Sequence, residues 1–325
     1  MISFDDGRSV DLRQVFDAVR NAPTGDTFSI TGQITRDEQI LKFRRVVFFR
    51  ESVLTFRNII SPFIVLAADD LTIEATVQSP AIVRRIAGDD ESSLIASLAG
   101  APGRQGNRGP HGVGETNRRG HDGGNGEDGG PGMPGRTQEL PPFILVARQV
   151  RFGGATPPDQ RVLVVSFEGL RGGNGGRGGD GGPGGNGANG KAGADGLFDC
   201  RESGGDGGHG GFGGRGGRGG DAGRGGNGGN VIFVTRQAGV DPLRFVAVRL
   251  EGAQPGAPGA PGQSAPGGRG GQGGPGTRFC RGGVAGAHRD SVRLEAAGPG
   301  SSAASGAPGR FRIVNDPAFD PGDLF

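Results

Sequence analysis

The sequence predicts an all-β chain: a parallel β-solenoid base with a capping N-terminal helix and an inserted bundle of polyglycine II helices. Three observations predict it. Glycine recurs at every third position from Gly172 to Gly196, and again from Gly205 to Gly229. Short runs rich in β-branched and aromatic residues arrive at regular intervals, separated by polar corners and without Asn-Gly hairpin turns. The run Pro142-Phe-Ile-Leu-Val-Ala147 echoes Pro62-Phe-Ile-Val-Leu-Ala67, an internal repeat expected of successive coils.

Period three is neither helix nor strand. It fits a left-handed helix with three residues per turn and about 3.1 Å of rise per residue. Most repeats in 172–229 read Gly-Gly-X, which leaves two faces of each turn without side chains. Collagen needs one such face and much more proline; Pro183 is the only proline in this stretch. Two bare faces suit a helix packed on neighbours at two sides, its backbone N–H and C=O groups bonded to them. A flexible linker would not hold phase over both stretches.

Taken in order, residues 9–22 read as one amphipathic helix with Leu12, Val15, Phe16 and Val19 on one face, Ser9 as N-cap and Pro23 as stop. A strand ending at Ile30 follows. Further strands are expected at Gln39–Phe43, Val46–Phe49, Val53–Phe56, Phe63–Ala67, Leu71–Ala75 and Ile82–Ile86, with corners at Arg50–Ser52, Ala68–Asp70 and Gln78–Pro80. After the first glycine tract, strands return at Phe143–Ala147, Val150–Phe152, Val162–Val165, Val231–Val234, Phe245–Val248 and Phe311–Val314. The resulting division is 1–98 helix and first coils, 99–136 a short glycine hairpin, 137–171 coils, and 172–229 a long hairpin. It continues with 230–251 a coil, 252–309 a third hairpin, and 310–325 a final strand and tail.

The stretch Asp11-Leu-Arg-Gln-Val-Phe-Asp-Ala-Val19 through Thr24-Gly-Asp-Thr27 resembles the opening of right-handed parallel β-helix proteins of the pectate-lyase-like superfamily. The resemblance implies a helix that covers the exposed solenoid end.

Cys200 lies 28 residues beyond Gly172, and Cys280 lies 28 beyond Gly252. Both sit in similar tetrapeptides, Phe198-Asp-Cys-Arg201 and Arg278-Phe-Cys-Arg281. Equal rise brings both to one height, roughly 87 Å from the base at 3.1 Å per residue, and predicts a disulfide between the hairpin tips. A disulfide implies an oxidising location. The first hairpin, shorter and without cysteine, is expected to buttress the bundle base.

The 325-residue chain holds 72 Gly and no Tyr or Trp, so apolar residues must concentrate in the base. A net charge of +2 with mixed signs does not imply nucleic acid. No apolar run reaches membrane-spanning length, and the N-terminus does not read as a signal peptide. The chain is therefore expected inside the cell, assembled in a particle, or exported by a route the sequence does not reveal.

Chemistry is sparse. Asp69-Asp70 offers paired carboxylates but lacks companions for polysaccharide cleavage. Asp89-Asp-Glu91 lacks the alternating spacing of a calcium loop. His111, His121, His209 and His288 form no ligand or triad spacing. No catalytic residue, metal or cofactor is expected. The outward columns, Asn174, Arg177, Asp180, Pro183, Asn186 and Asn189, then Asp206 through Asn227, read as solvated polar faces. They lack the flat Ala, Thr or Ser array that an ice-binding face requires. Phe212 stands among them without an assigned role.

The glycine tracts resemble those of adhesins at the ends of some phage long tail fibres, in which a polyglycine II sandwich presents variable loops. That resemblance implies a non-enzymatic, receptor-binding protein acting outside the cell or on a particle surface, its partner a cell-surface protein or glycan. The contact residues would be Leu197, Phe198, Asp199, Arg201, Arg278, Phe279 and Arg281, with Arg118 and Arg119 on the first hairpin. Two other readings stay open: a structural protein assembling with copies of itself, and a β-helix enzyme acting on polysaccharide.

Overall fold

The computed structural model describes residues 1–5, 7–153, 160–237, 239–289 and 297–325. The chain is largely β, built on two parallel sheets. After β1 (Ile2–Ser3), β2 (Ser9–Val10) and α1 (Leu12–Asn21), the chain alternates between the two sheets. The first holds β3 (Gly25–Ile30), β5 (Ile40–Phe48), β7 (Ile64–Ile73), β11 (Phe143–Phe152), β15 (Val231–Val234) and β17 (Phe311–Val314), neighbours in that order. The second holds β4 (Gln33–Arg36), β6 (Val53–Phe56), β8 (Ala81–Arg85), β12 (Leu163–Ser166) and β16 (Val246–Arg249), also in chain order. Every pairing within these two sheets is parallel. Between β8 and the first glycine tract lies α2 (Asp89–Ser97); α3 (Pro242–Phe245) leads into β16.

One apolar core fills the space between the sheets, with Phe48, Phe56, Phe143, Phe167, Phe233 and Phe245 among its buried side chains. A second lies on the outer face of the six-stranded sheet. There Leu12, Val15, Phe16 and Val19 of α1 cover Val65, Ala67, Ile144, Val146, Ile232 and Val234. So the helix covers a sheet face, not the solenoid end that the sequence suggested. Its N-cap is Asp11, whose carboxylate accepts from Arg13 N at 3.0 Å, because Ser9 is occupied in β2. Lys42 is buried at the other end, donating to the Arg20 and Ala22 carbonyls at 3.3 and 3.4 Å. Burial lowers the pKa of Lys42.

Several sequence boundaries shift. The runs 39–43 and 46–49 form one strand, as do 63–67 with 71–75 and 143–147 with 150–152. Asp69 and Asp70 therefore lie inside β7, where parallel pairing sets Asp70 beside Arg45 and Gln149. The echoed hexapeptides do not stack in register: Phe143 pairs with Ile64, one residue off the sequence match. One residue of slip exchanges the sheet's faces, so Phe143 faces the inner core while Phe63 packs against the outer one.

Among the described residues, six glycine-rich legs leave this base at its corners: leg 1 (100–112), leg 2 (120–136), leg 3 (169–193), leg 4 (204–229), leg 5 (251–275) and leg 6 (281–289 and 297–309). Apart from Gly120, their described residues carry neither helix nor strand, yet their backbones are bonded to one another. Legs 1, 3 and 5 run outward, and every third N–H of one meets a carbonyl of the next. Gly103 N donates to Arg177 O at 2.8 Å, and Gly178 N to Ala260 O at 2.8 Å. Legs 2, 4 and 6 return in the same relation: Gly126 N to Phe212 O at 2.8 Å, and Gly207 N to Val284 O at 2.8 Å. A second column bonds across the two layers to an antiparallel leg, as Gly179 N to Gly130 O and Gly214 N to Gly182 O, both 2.8 Å.

Glycine follows neighbour count. In legs 3 and 4, flanked on both sides, two columns are almost wholly glycine, and a Cβ on either would run into a backbone carbonyl. Legs 1, 2, 5 and 6 are flanked on one side and relax one column to Pro, Ala, Ser or charged residues.

The outward column is not merely solvated. Its side chains accept from the outward N–H of the adjacent leg: Asn125 Oδ1 from Phe212 N at 2.9 Å, Asp180 Oδ1 from Gln263 N at 2.7 Å, and Asp206 Oδ1 from Val284 N at 2.7 Å. His111 and His209 do the same through Nδ1, from Asn186 N at 2.9 Å and Ala287 N at 2.8 Å. Phe212 supports the Arg289 guanidinium, 4.9 Å from its ring centre.

Candidate functional site

Three loops meet at the far end of the legs. Legs 1 and 2 close through β9 (Glu115–Thr116) and β10 (Arg119–Gly120), an antiparallel pair around Asn117 and Arg118. Both turn residues have positive φ, 46° and 71°, as a tight two-residue hairpin requires. Legs 3 and 4 close through β13 (Ala194–Asp195) and β14 (Cys200–Glu202), with Gly196 N bonded to Asp199 O at 2.8 Å. Legs 5 and 6 close at 276–281, where Thr277 N donates to Cys280 O at 2.9 Å.

The expected disulfide is present: Cys200 and Cys280 are joined, with Cα atoms 4.7 Å apart. Asp195 adds a second tie between these loops, accepting from Phe279 N at 3.1 Å and from the Thr277 hydroxyl. Sequence reading missed the tie that Asp195 makes with Thr277 and Phe279. Its signals were local: an Asp-Gly turn pair, and Thr three residues before Cys280.

Arg118 is a tie. Its guanidinium pairs with Glu202 and donates to Ser203 O at 2.9 Å and to Ala192 O, while Lys191 N donates to Arg118 O at 3.0 Å. The first hairpin therefore climbs alongside leg 3 almost to the tip, which corrects the expectation that it only buttresses the base. Arg119 pairs with Asp122 at 3.2 Å.

The two disulfide-linked loops bring the other expected residues to one end. Leu197 and Phe198 are each 89% exposed and Phe279 is 41% exposed. The Arg278 guanidinium sits 5.1 Å from the Phe279 ring centre. Arg201, Arg278 and Arg281 are exposed and have no carboxylate partner among the described residues; Asp199 is exposed beside them. The surface thus combines large apolar side chains with an excess of cation.

Elsewhere the acidic candidates are committed to basic partners. Asp69 pairs with Arg148, and Asp70 with Arg151 at 3.4 Å. Asp89, Asp90 and Glu91 form the first turn of α2, with Asp90 on Arg57 at 2.7 Å and Glu91 on Arg85 at 2.9 Å. Among the described residues, no group of three His, Cys, Asp or Glu is placed to hold a metal, and no helix is long and apolar enough to cross a membrane. A cavity of about 430 Å³ at the bundle base is lined by Phe4, Arg8, Ile59 and Glu139 among others. Its Arg8 donates to Leu140 O at 2.9 Å and Gly228 O at 2.7 Å, anchoring leg 4.

No protein-family profile matches the chain, and no curated protein matches it. Among solved structures, it aligns at 20% identity with a springtail antifreeze protein from Granisotoma rainieri, described as a nine polyproline type II helical bundle. The alignment covers 61% of this chain and 94% of that one, with a TM-score of 0.10, too low to establish a shared fold.

Proposed function

We propose that the two parallel sheets form a β-solenoid base and that the six legs are a polyglycine II bundle holding a receptor-binding tip. The protein is then a non-enzymatic surface-binding protein, working outside the cell or on a particle surface, with a cell-surface protein or glycan as partner. One observation carries this reading: Leu197, Phe198 and Phe279 are exposed beside three arginines that have no carboxylate partner among the described residues, on loops locked to each other by a disulfide. Exposed apolar clusters on soluble proteins mark contact surfaces. Aromatic and arginine side chains dominate binding energy where they are buried by a partner. Burying each of the three apolar side chains would contribute about 1.5–3 kcal/mol. Rigid legs and a cross-linked tip lower the ordering cost of binding.

The test is binding of fluorescently labelled protein to a panel of intact bacterial cells, comparing wild type with Phe198→Ser and Arg201→Ala. Binding to a subset of strains that falls at least tenfold in both variants is expected. Equal binding by wild type and variants would overturn the tip assignment. No binding, together with concentration-dependent association in light scattering, would favour a self-assembling structural protein instead.

A further inference from the structure

The disulfide sets two arginines close together. Arg201 directly follows Cys200 and Arg281 directly follows Cys280, and the two cysteine Cα atoms are 4.7 Å apart. Successive Cα atoms are about 3.8 Å apart, so those of the two arginines lie no more than about 12 Å from each other. Both arginines are exposed, and that separation is within the combined reach of their side chains. Arg278 lies on the same closing loop as Arg281, its guanidinium 5.1 Å from the Phe279 ring centre.

The acids around them are committed elsewhere. Glu202 pairs with Arg118, Glu115 with Lys191 at 3.7 Å, and Asp122 with Arg119 at 3.2 Å. Asp195 accepts from Phe279 N at 3.1 Å and from the Thr277 hydroxyl, and Asp206 accepts from Val284 N at 2.7 Å. Among the described tip residues, Asp199 is the acid whose carboxylate has no such partner. Three guanidinium groups therefore face one uncommitted carboxylate, and the surface is complementary to an anion.

The kind of anion follows from the donors. A carboxylate has two oxygens, which one guanidinium fork satisfies. A phosphate monoester has three strong acceptor oxygens and close to two negative charges at neutral pH, which suits a pair of guanidinium groups. A sulfate ester offers the same three oxygens. Phe198 stands in the loop that carries Arg201 and is 89% exposed. The electron-rich face of such a ring suits the polarised C–H groups on one side of a sugar.

We infer that the tip takes a glycan bearing a phosphate or sulfate ester, with the oxyanion between Arg201 and Arg281 and a sugar ring on Phe198. This rests on the receptor-binding reading of the tip and names the chemistry of its partner. Arg278 supplies a third positive charge beside the pair, which speeds encounter with a polyanionic surface. The disulfide holds the pair together and so belongs to the site.

The test is calorimetric titration of the disulfide-intact protein with four probes: a mannose pentasaccharide carrying a terminal 6-phosphate, the same sugar with a 6-sulfate, the unmodified sugar, and a blocked phosphoserine hexapeptide. At least one esterified sugar is expected to bind saturably and at least tenfold more tightly than the unmodified one. Arg201→Ala and Arg281→Ala should each weaken that binding at least tenfold, whereas Arg13→Ala, an exposed arginine of α1, should leave it unchanged. Cys200→Ser with Cys280→Ser keeps every arginine and should weaken it at least threefold. Equal or absent binding of the esterified and unmodified sugars overturns the inference. Unchanged binding in the arginine or cysteine variants does so too, by showing diffuse charge and no fixed pair. Tighter binding of the phosphopeptide overturns the glycan. Cell binding separates the two levels of the argument. If it falls in Phe198→Ser but not in Arg281→Ala, the tip reading stands and the oxyanion site fails; if it falls in neither, the tip reading itself fails.

Discussion

Replacing Gly179 with Ala tests the packing of the legs at one atom. A Cβ there would run into the Arg104 carbonyl oxygen, and would lie 2.5 Å from that carbonyl's carbon and 2.9 Å from Gly103 O. Ordinary contact needs about 3.4 Å or more, so leg 1 must retreat from leg 3 by roughly 1 Å. Two bonds flank the site, Gly103 N to Arg177 O and Gly106 N to Asp180 O, both 2.8 Å. Retreat would lengthen both beyond hydrogen-bond range. Two lost bonds at about 1 kcal/mol each, plus about 1–3 kcal/mol of overpacking, give a loss of about 3–5 kcal/mol. Gly298 supplies the control: a Cβ there meets nothing within 4 Å among the described residues, and its φ is not left-handed. Gly298→Ala should be neutral or stabilise by up to about 1 kcal/mol through the unfolded state. The chain has no Trp or Tyr, so urea unfolding is followed by circular dichroism. Equal stability of the two variants would refute the close-packed legs.

Three further outcomes are expected. Cys200→Ser with Cys280→Ser opens a link across 80 residues; the chain-entropy account expects a loss of about 4.5 kcal/mol in urea unfolding, whereas an unchanged midpoint would mean the tips stay together without it. Asn125→Ala removes the acceptor for Phe212 N and should speed exchange of that amide, with stability changed by no more than about 1 kcal/mol, while Asn125→Asp keeps protection. Asp221 has a lowered pKa, chiefly because Ser301 N donates to it, with help from Arg218 and the Ser301 hydroxyl. Its contribution is present above the unfolded carboxylate value of about 3.9 and is lost as pH falls through the lower folded value. Exchange at Ser301 should therefore rise only in acid, and Asp221→Asn should remove that pH dependence.

Legibility in the sequence followed the strength of the physical constraint. Gly172–Gly196 and Gly205–Gly229 could be read as packed legs because legs 3 and 4 have neighbours on both sides, and at most of these glycines a Cβ would run into a carbonyl. The stretch after Cys280 was unreadable because leg 6 lies at the edge and needs one glycine column, so Ala285, His288, Pro299, Ser305 and Pro308 are tolerated in the second. Cys200 and Cys280 were placed by equal rise and similar flanking residues. The strand at Gln33–Arg36 was missed because its inner face carries little: Ile34 is only half-buried at the sheet edge. Helix α2 was missed because it buries none of its residues. Asp69 and Asp70 looked like a corner because acids rarely lie inside strands; here Arg148 and Arg151 on the adjacent strand neutralise them. At the tip, the exposed residues were legible as types, but the consumption of Arg118 by Glu202, Ser203 and Ala192 depends on a contact across more than 70 positions.

Residue-resolved amide exchange of the intact protein is the most direct test of the central account. The two-layer bundle predicts a period of three. In leg 3, two amides of each triplet, such as Gly178 and Gly179 but not Arg177, should exchange slowly; in leg 4 the third amide is held as well at His209, Phe212 and Arg215 by side chains of leg 2; in leg 5, Gly268 and Gly271 should be slow and Gly267 and Gly270 fast. Uniformly fast exchange through 172–229 would contradict the account and return these residues to a flexible linker.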